Sequence, residues 1–253
     1  MTHLQRGVAA VVSLLLLGAA CSGDDTPDLS LPRDATVPDA STTDETTDPL
    51  LGETFHVAQA THDTLVVRSS AQEGADELLT LVAAEQVSGK IVCLVVQQVG
   101  DWVEVRLPSG PTDRTGWVAR DDVAISRHHF RIEVSRSEHT LTLYNGEIVA
   151  LTTPVSLGPD APAAGERRFV TELVQPPDRS GPYDTYAYGL SGADNDLAAF
   201  TAGSGVVAIH GTADAGALGD DAPSGAIGVG TDIVARMADT IGLPLGTPID
   251  IVE

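Results

Sequence analysis

The chain has 253 residues, 42% of them hydrophobic and only 4% aromatic, so a core can form but must be largely aliphatic. Its formal charge of −22 at neutral pH argues against a nucleic-acid partner, which would be repelled, and disfavours electrostatic docking on an anionic bilayer. Such a surplus of carboxylates suits a solvated protein outside the cytoplasm.

At the N-terminus, His3 and Arg6 give a weakly basic start to "VAAVVSLLLLGAA", a run of signal-peptide length that is too short to span a bilayer comfortably. Residues 1–20 therefore read as an export signal. Cys21 follows in "LGAAC", and small residues before such a cysteine resemble a bacterial lipoprotein cleavage site. The resemblance implies a lipid on Cys21 that anchors the protein to the membrane. Ordinary secretion with an incidental cysteine is the other reading. An acylated Cys21 leaves Cys93 without a disulfide partner. Cys93 lies in the apolar run "KIVCLVV" and reads as a buried, inert strand thiol.

Residues 21–53 read as an acidic tether, with Asp24, Asp25, Asp28, Asp34, Asp39, Asp44, Glu45 and Asp48 against Arg33 alone. Such a segment buries too little apolar area to offset its ordering entropy, so disorder is expected. It would lift the folded part off the membrane.

Residues 54–125 read as a domain of short strands. "TLVVRSS" and "KIVCLVVQQ" are β-branched runs, and "DWVEVRL" alternates apolar and polar residues as a half-buried strand does. "PSGPTDRTG" is a hairpin-type loop before "GWVARDDV". The succession "VVRSS", "GDWVEV" and "TGWVARDDV" resembles a bacterial SH3-like domain, in which two tryptophan-bearing strands pack a small barrel. Trp102 and Trp117, the only tryptophans, fall on those two strands. The resemblance implies company with cell-wall enzymes and, in some cases, binding of wall peptides; core or spacer tryptophans are the plainer alternative.

Residues 128–253 read as a second β-rich domain. "FRIEVSRSEHTLTLYNGEIVALTTPVSLG" gives successive strands with a hairpin turn at Asn145-Gly146. His128 and His129, at its start, are expected to be exposed. A helix is predicted after Gly230, capped by Thr231 or Asp232, with Ile233, Val234, Met237 and Ile241 on one face and a stop at Gly242 and Pro244. "TPIDIVE" is a closing strand. The expected fold is mainly β: an SH3-like barrel, then a β-rich domain with one C-terminal helix.

"IEVSRSEHTLTLYNGE", "PVSLG", "VVAIHGT" and "LPLGTPIDIV", in that order, resemble the L,D-transpeptidase catalytic domain of bacterial cell-wall enzymes. The resemblance covers about 120 residues. It implies peptidoglycan stem peptides as substrate, attacked by a cysteine that a histidine activates, with backbone N–H groups holding the oxyanion. In that family the cysteine sits in His-Gly-Cys or Ser-Gly-Cys, followed by an aliphatic residue and then arginine.

Carried onto this chain, His210 in "AIHGT" matches the upstream base, Ser224 the His-or-Ser position, and Gly225 the glycine. Ala226 then stands at the nucleophile, Ile227 at the aliphatic position and Gly228 at the arginine. The family's Thr-Pro-x-Gly segment is reduced to Pro162 and Gly165. A methyl group has no lone pair to attack a carbonyl, and loss of a nucleophile costs on the order of a millionfold in turnover, about 8 kcal/mol. Ser224 is the nearest hydroxyl, but two residues of extended chain displace it by about 7 Å. Thr212 and Ser204 flank His210 and are weaker substitutes.

His210 is either a vestigial base lining a cleft or a histidine bonded to backbone at a strand end. His56, His62 and His139 fit no ligand spacing, so no metal or other cofactor is expected. Asp220 and Asp221 read as a solvated turn, and the "GSG" around Ser204 as a turn rather than a phosphate loop. Three functions stay open: an inactive family member that binds peptidoglycan or acts as a scaffold, an active transpeptidase or carboxypeptidase with another nucleophile, and a purely structural envelope protein. The expected partners are stem peptides and, through the lipid, the membrane.

Overall fold

Strand residues alternate between a β-branched or aliphatic inner set and a polar outer set, and two sheets result. The computed structural model describes residues 52–86, 88–111, 113–174, 186–192, 207–212 and 214–253, all in one compact unit. The expected export signal, Cys21, most of the expected tether and Ser204 lie outside the described residues.

The first sheet has seven strands: β1 (Phe55–Ala60), β2 (Thr64–Arg68), β3 (Glu77–Val82), β4 (Val92–Val99), β5 (Trp102–Arg106), β6 (Thr115–Ala119) and β7 (Val123–His128). Their order is β3-β2-β6-β5-β4-β1-β7, and every pairing is antiparallel. Leu65, Val67, Cys93, Val103, Val105 and Val118 form its core, with no aromatic ring among its buried members. Trp102 and Trp117 are half-buried on the outer face instead. Alternation gives the inner positions to Val103, Val105 and Val118, so neither tryptophan is part of the buried core.

The second sheet has nine strands: β8 (Phe130–Ser135), β9 (Thr140–Asn145), β10 (Ile148–Pro154), β11 (Ser156–Leu157), β12 (Arg167–Val174), β13 (Ala187–Leu190), β14 (Ala208–Thr212), β15 (Ile227–Gly230) and β16 (Pro248–Val252). Their order is β10-β9-β8-β16-β12-β13-β14-β15-β11. Two pairings are parallel, β14 with β15 and β16 with β8. The β9–β10 hairpin turns at Gly146, whose φ of 61° is the left-handed conformation that an Asn-Gly turn needs.

A helix runs from Thr231 to Ala235, continues as π-helical turns over Arg236–Ile241, and ends at Gly242 with φ 66°. It buries Val234 and Met237 against the sheet. Its cap differs from the expected Thr231 or Asp232. The last residue of β15, Gly230, holds that position and has no side chain to cap with. Strand and helix join without a spacer, so the Thr231 hydroxyl bonds across to the Thr212 carbonyl at 3.2 Å.

Phe55, Leu94 and Phe169 form a small cluster joining the two sheets. A Cβ on Gly246 would fall 2.3 Å from Val57 Cγ2, so the halves touch backbone to side chain there. His128 was expected at the surface but is half-buried, because β7 pairs with β1 along its length and sets His128 opposite Phe55. The imidazole lies between Phe55 and Phe130, with centroids 5.9 and 6.3 Å away. Burial pushes its pKa down to about 4, helped by the charge of His129.

Candidate functional site

The site is a row across the second sheet. Register pairs Ala187 with His210, His210 with Gly228, and Gly228 with Ser156. Lateral neighbours in a sheet project to the same face, so His210 and Ser156 face each other across a residue without a side chain. A Cβ on Gly228 would lie 3.7 Å from His210 Cε1 and 2.3 Å from Ser156 Oγ. The Ser156 hydroxyl therefore stands where a side chain at position 228 would begin.

His210 is half-buried in the middle of β14, between buried Ile209 and Gly211. A carbonyl can only accept, so the 3.2 Å contact between its Nδ1 and the Gly211 oxygen places the proton on Nδ1. That tautomer leaves Nε2 as the basic nitrogen. Burial lowers the pKa below its ordinary value, with the Gly211 bond pulling the other way, so the ring is neutral at pH 7. Nε2 faces Gly225, where a Cβ would approach to 3.1 Å. Gly225 has φ 84°, a conformation that disfavours any other residue.

The loop after β14 is laid onto β11 and the turn that follows it. Gly219 N–H donates to the Val155 carbonyl (2.9 Å), Leu157 N–H to Asp220 (3.2 Å) and Ala222 N–H to Leu157 (2.9 Å). Gly158 N–H then donates to the Ala226 carbonyl (2.8 Å) and Asp160 N–H to Gly225 (3.1 Å). Gly158 fits against this loop only as glycine, since a Cβ would sit 2.0 Å from the Gly225 oxygen. His139 Nε2 and Asp221 Oδ1, 3.1 Å apart, tie the loop to the β8–β9 turn.

The structure thus brings His210, Gly225 and Gly228 together and puts Ala226, 2% exposed, in the loop segment between them. Ser224 is exposed. The Thr212 hydroxyl is taken up by the Asp214 N–H at 3.2 Å. Ser156 and Gly158 were missed as site residues by sequence reasoning. Both lie in "PVSLG", but only the β11–β15 register reveals what they face. Cys93 offers no alternative nucleophile, since it is buried in the first sheet with its thiol pushed up to about 12. Among the described residues, no group of three or more His, Cys, Asp or Glu is placed to hold a metal ion.

No protein-family profile matches the chain, and no curated protein does. Among solved structures, it is similar to the L,D-transpeptidase of Xylanimonas cellulosilytica (14% identity, TM-score 0.35), over 48% of this chain and 59% of that one. An L,D-transpeptidase from Mycobacterium smegmatis aligns at 18% identity and TM-score 0.38, over 60% of this chain and 91% of that one. L,D-transpeptidase 3 of Mycobacterium tuberculosis, in complex with a faropenem-derived adduct, aligns at 15% identity and TM-score 0.40, over 64% and 91%. The chain thus spans less than two thirds of the Xylanimonas protein's length, and at these identities and TM-scores the likeness carries no conclusion about activity.

Proposed function

We propose that this chain is a lipid-anchored, extracytoplasmic envelope protein that holds peptidoglycan stem peptides on its His210 face and has lost cysteine-dependent cross-linking. One observation carries the reading. Gly225 and Gly228 of "SGAIG" lie against the His210 ring, and the motif match assigns Ala226, with only a methyl group, to the nucleophile position between them. A neutral imidazole, a glycine-bounded ring edge and a loop strapped to β11 suit a site that binds a peptide. Residues 54–125 would form an SH3-like module and residues 128–253 the stem-peptide domain. The tether from Cys21 would hold both near the wall. No helix among the described residues is long and apolar enough to cross a membrane.

The test is mass spectrometry of the ectodomain after incubation with a disaccharide-tetrapeptide, beside an Ala226→Cys variant. The expected result is a silent wild type and a variant that forms an acyl adduct or releases D-alanine. Release of D-alanine by the wild type would overturn the loss of chemistry. That rival reading is favoured by the Ser156 hydroxyl, which lies over Gly228, the residue beside His210. It would require release to vanish in both Ser156→Ala and His210→Ala. Failure of the ectodomain to be retained on soluble peptidoglycan would sink the binding claim and leave a structural role.

A further inference from the structure

The first sheet carries a hollow of its own, which His210 does not line. On β5 the outward residues are Trp102, Glu104 and Arg106, alternating with buried Val103 and Val105. On β6 Trp117 faces outward beside Glu104, with Arg68 of β2 on its other side. Both tryptophans of the chain thus occupy one outer face, as diagonal neighbours on adjacent strands. Indoles on the solvent side contribute little to this core, whose buried members are all aliphatic or sulfur-bearing.

Trp102 lines a hollow of about 410 Å³. Arg68 and Arg120 also line it, and both are turned to backbone: Arg68 Nη1 donates to the Ala75 carbonyl (3.0 Å) and Arg120 Nη1 to Val123 (2.9 Å). The remaining charge is carboxylate. Glu73, Asp101 and Asp121 are exposed on the rim and Asp122 is half-buried there. Four carboxylates against two engaged guanidiniums leave the hollow electronegative beside an aromatic ring. An ammonium group is stabilised by a ring face and by nearby carboxylates together, whereas a carboxylate or phosphate would be repelled.

We infer that this hollow binds a primary ammonium group carried on a peptide, with Trp102 as platform and Asp101, Asp121 and Glu73 as counter-charge. The natural source would be the free side-chain amine of a stem peptide, and to that extent the inference rests on the function proposed above. It gives the first sheet its own ligand: the amine end of a stem peptide, separate from the segment held at His210.

Two tryptophans give two indole N–H signals, so binding can be followed by NMR on the intact ectodomain, assigned with Trp117→Phe. The ligands are a stem tetrapeptide with a free side-chain amine, the same peptide with that amine acetylated, and Nα-acetyl-lysine amide. The free amine should shift the Trp102 signal, and acetylation should weaken binding about tenfold or more. Trp102→Ala should do the same. Should that variant misfold, Asp101→Asn with Asp121→Asn should weaken binding several-fold, as added salt should. His210→Ala should leave the Trp102 shift caused by Nα-acetyl-lysine amide unchanged. Equal binding of free and acetylated peptide at Trp102 would overturn the proposal. So would a free-amine peptide that perturbs only residues around His210, an outcome that leaves the stem-peptide reading intact. If acetyl-lysine amide moves Trp102 but the stem peptide binds nowhere, the hollow stands and the proposed function falls. No shift of Trp102 with any of the three defeats the inference.

Discussion

The His210 face and the Trp102 hollow are built in opposite ways. Around His210 the walls are backbone: Gly158, Gly225 and Gly228 allow the loop, the strand and the imidazole to approach within distances that a Cβ would forbid. Around Trp102 the walls are side chains standing on the outer face of the seven-stranded sheet, over a core without aromatic rings. A backbone-walled site is coupled to folding, so changes there register first as stability. A site made of outward side chains can be altered with little effect on the fold.

The sharpest way to break this contrast is Gly158→Ala. Its methyl would fall 2.0 Å from the Gly225 carbonyl oxygen, with the Ser224 oxygen at 2.6 Å, and backbone cannot rotate aside. We expect a loss of about 3 kcal/mol in urea unfolding. Gly165→Ala is the control: its φ is 86° but no atom lies within 4 Å, so only conformational strain of about 1 kcal/mol is expected. Equal losses would mean that close approach is not what holds the loop.

The next effect is acid sensitivity at the seam between the sheets. His128 falls from its ordinary 6.5 to about 4 on folding, so between these values the unfolded chain binds the extra proton. Its contribution to stability is therefore full above about pH 6.5 and is lost as the pH drops toward 4. His210, also lowered, acts in the same sense from the same upper limit. Thermal unfolding from pH 7 to pH 4 should show a falling midpoint, and His128→Leu should flatten part of that fall. A slope unchanged in the variant would place the acid sensitivity elsewhere.

The smallest effect belongs to Asp221→Asn. Its partner His139 is at 3.1 Å, but the aspartate side chain is 81% exposed. Solvent screening limits such a pair to less than about 1 kcal/mol. A larger loss on unfolding would mean that the side-chain tie, rather than the run of backbone bonds to β11, holds the loop.

Much of this could be read from the chain alone. The alternation in "DWVEVRL", the Asn145-Gly146 turn and the apolar stripe after Gly230 are local signals, and each appears as the strand, hairpin or helix it implied. The motif reading singled out His210, Ser224, Gly225, Ala226 and Gly228 along two short stretches, and the β14–β15 register sets His210 beside Gly228. What escaped is lateral. Ser156 meets Gly228 only through the β11–β15 register, and no local pattern encodes which strand becomes whose neighbour. His128 seemed exposed because its flanks are polar, yet its burial depends on Phe55, far away in sequence. The helix cap was missed for a local reason: a strand that runs straight into a helix leaves no spacer to serve as cap.

The position of β16 governs the order in which this protein can fold. It lies between β8 and β12, pairing in parallel with the former and antiparallel with the latter. Ile249 meets Ile132, and the Ser135 hydroxyl donates to the Glu253 carbonyl at 3.0 Å. Until the chain has emerged through Val252, the β8–β9–β10 meander and the strands that carry His210 are two separate sheet fragments with bare edges. Such high contact order makes closure slow, since loop entropy is lost before these contacts form. The strand that unites the sheet comes last among the described strands, so until then the edges of both fragments stay exposed, and solubilising charge or a chaperone keeps them apart.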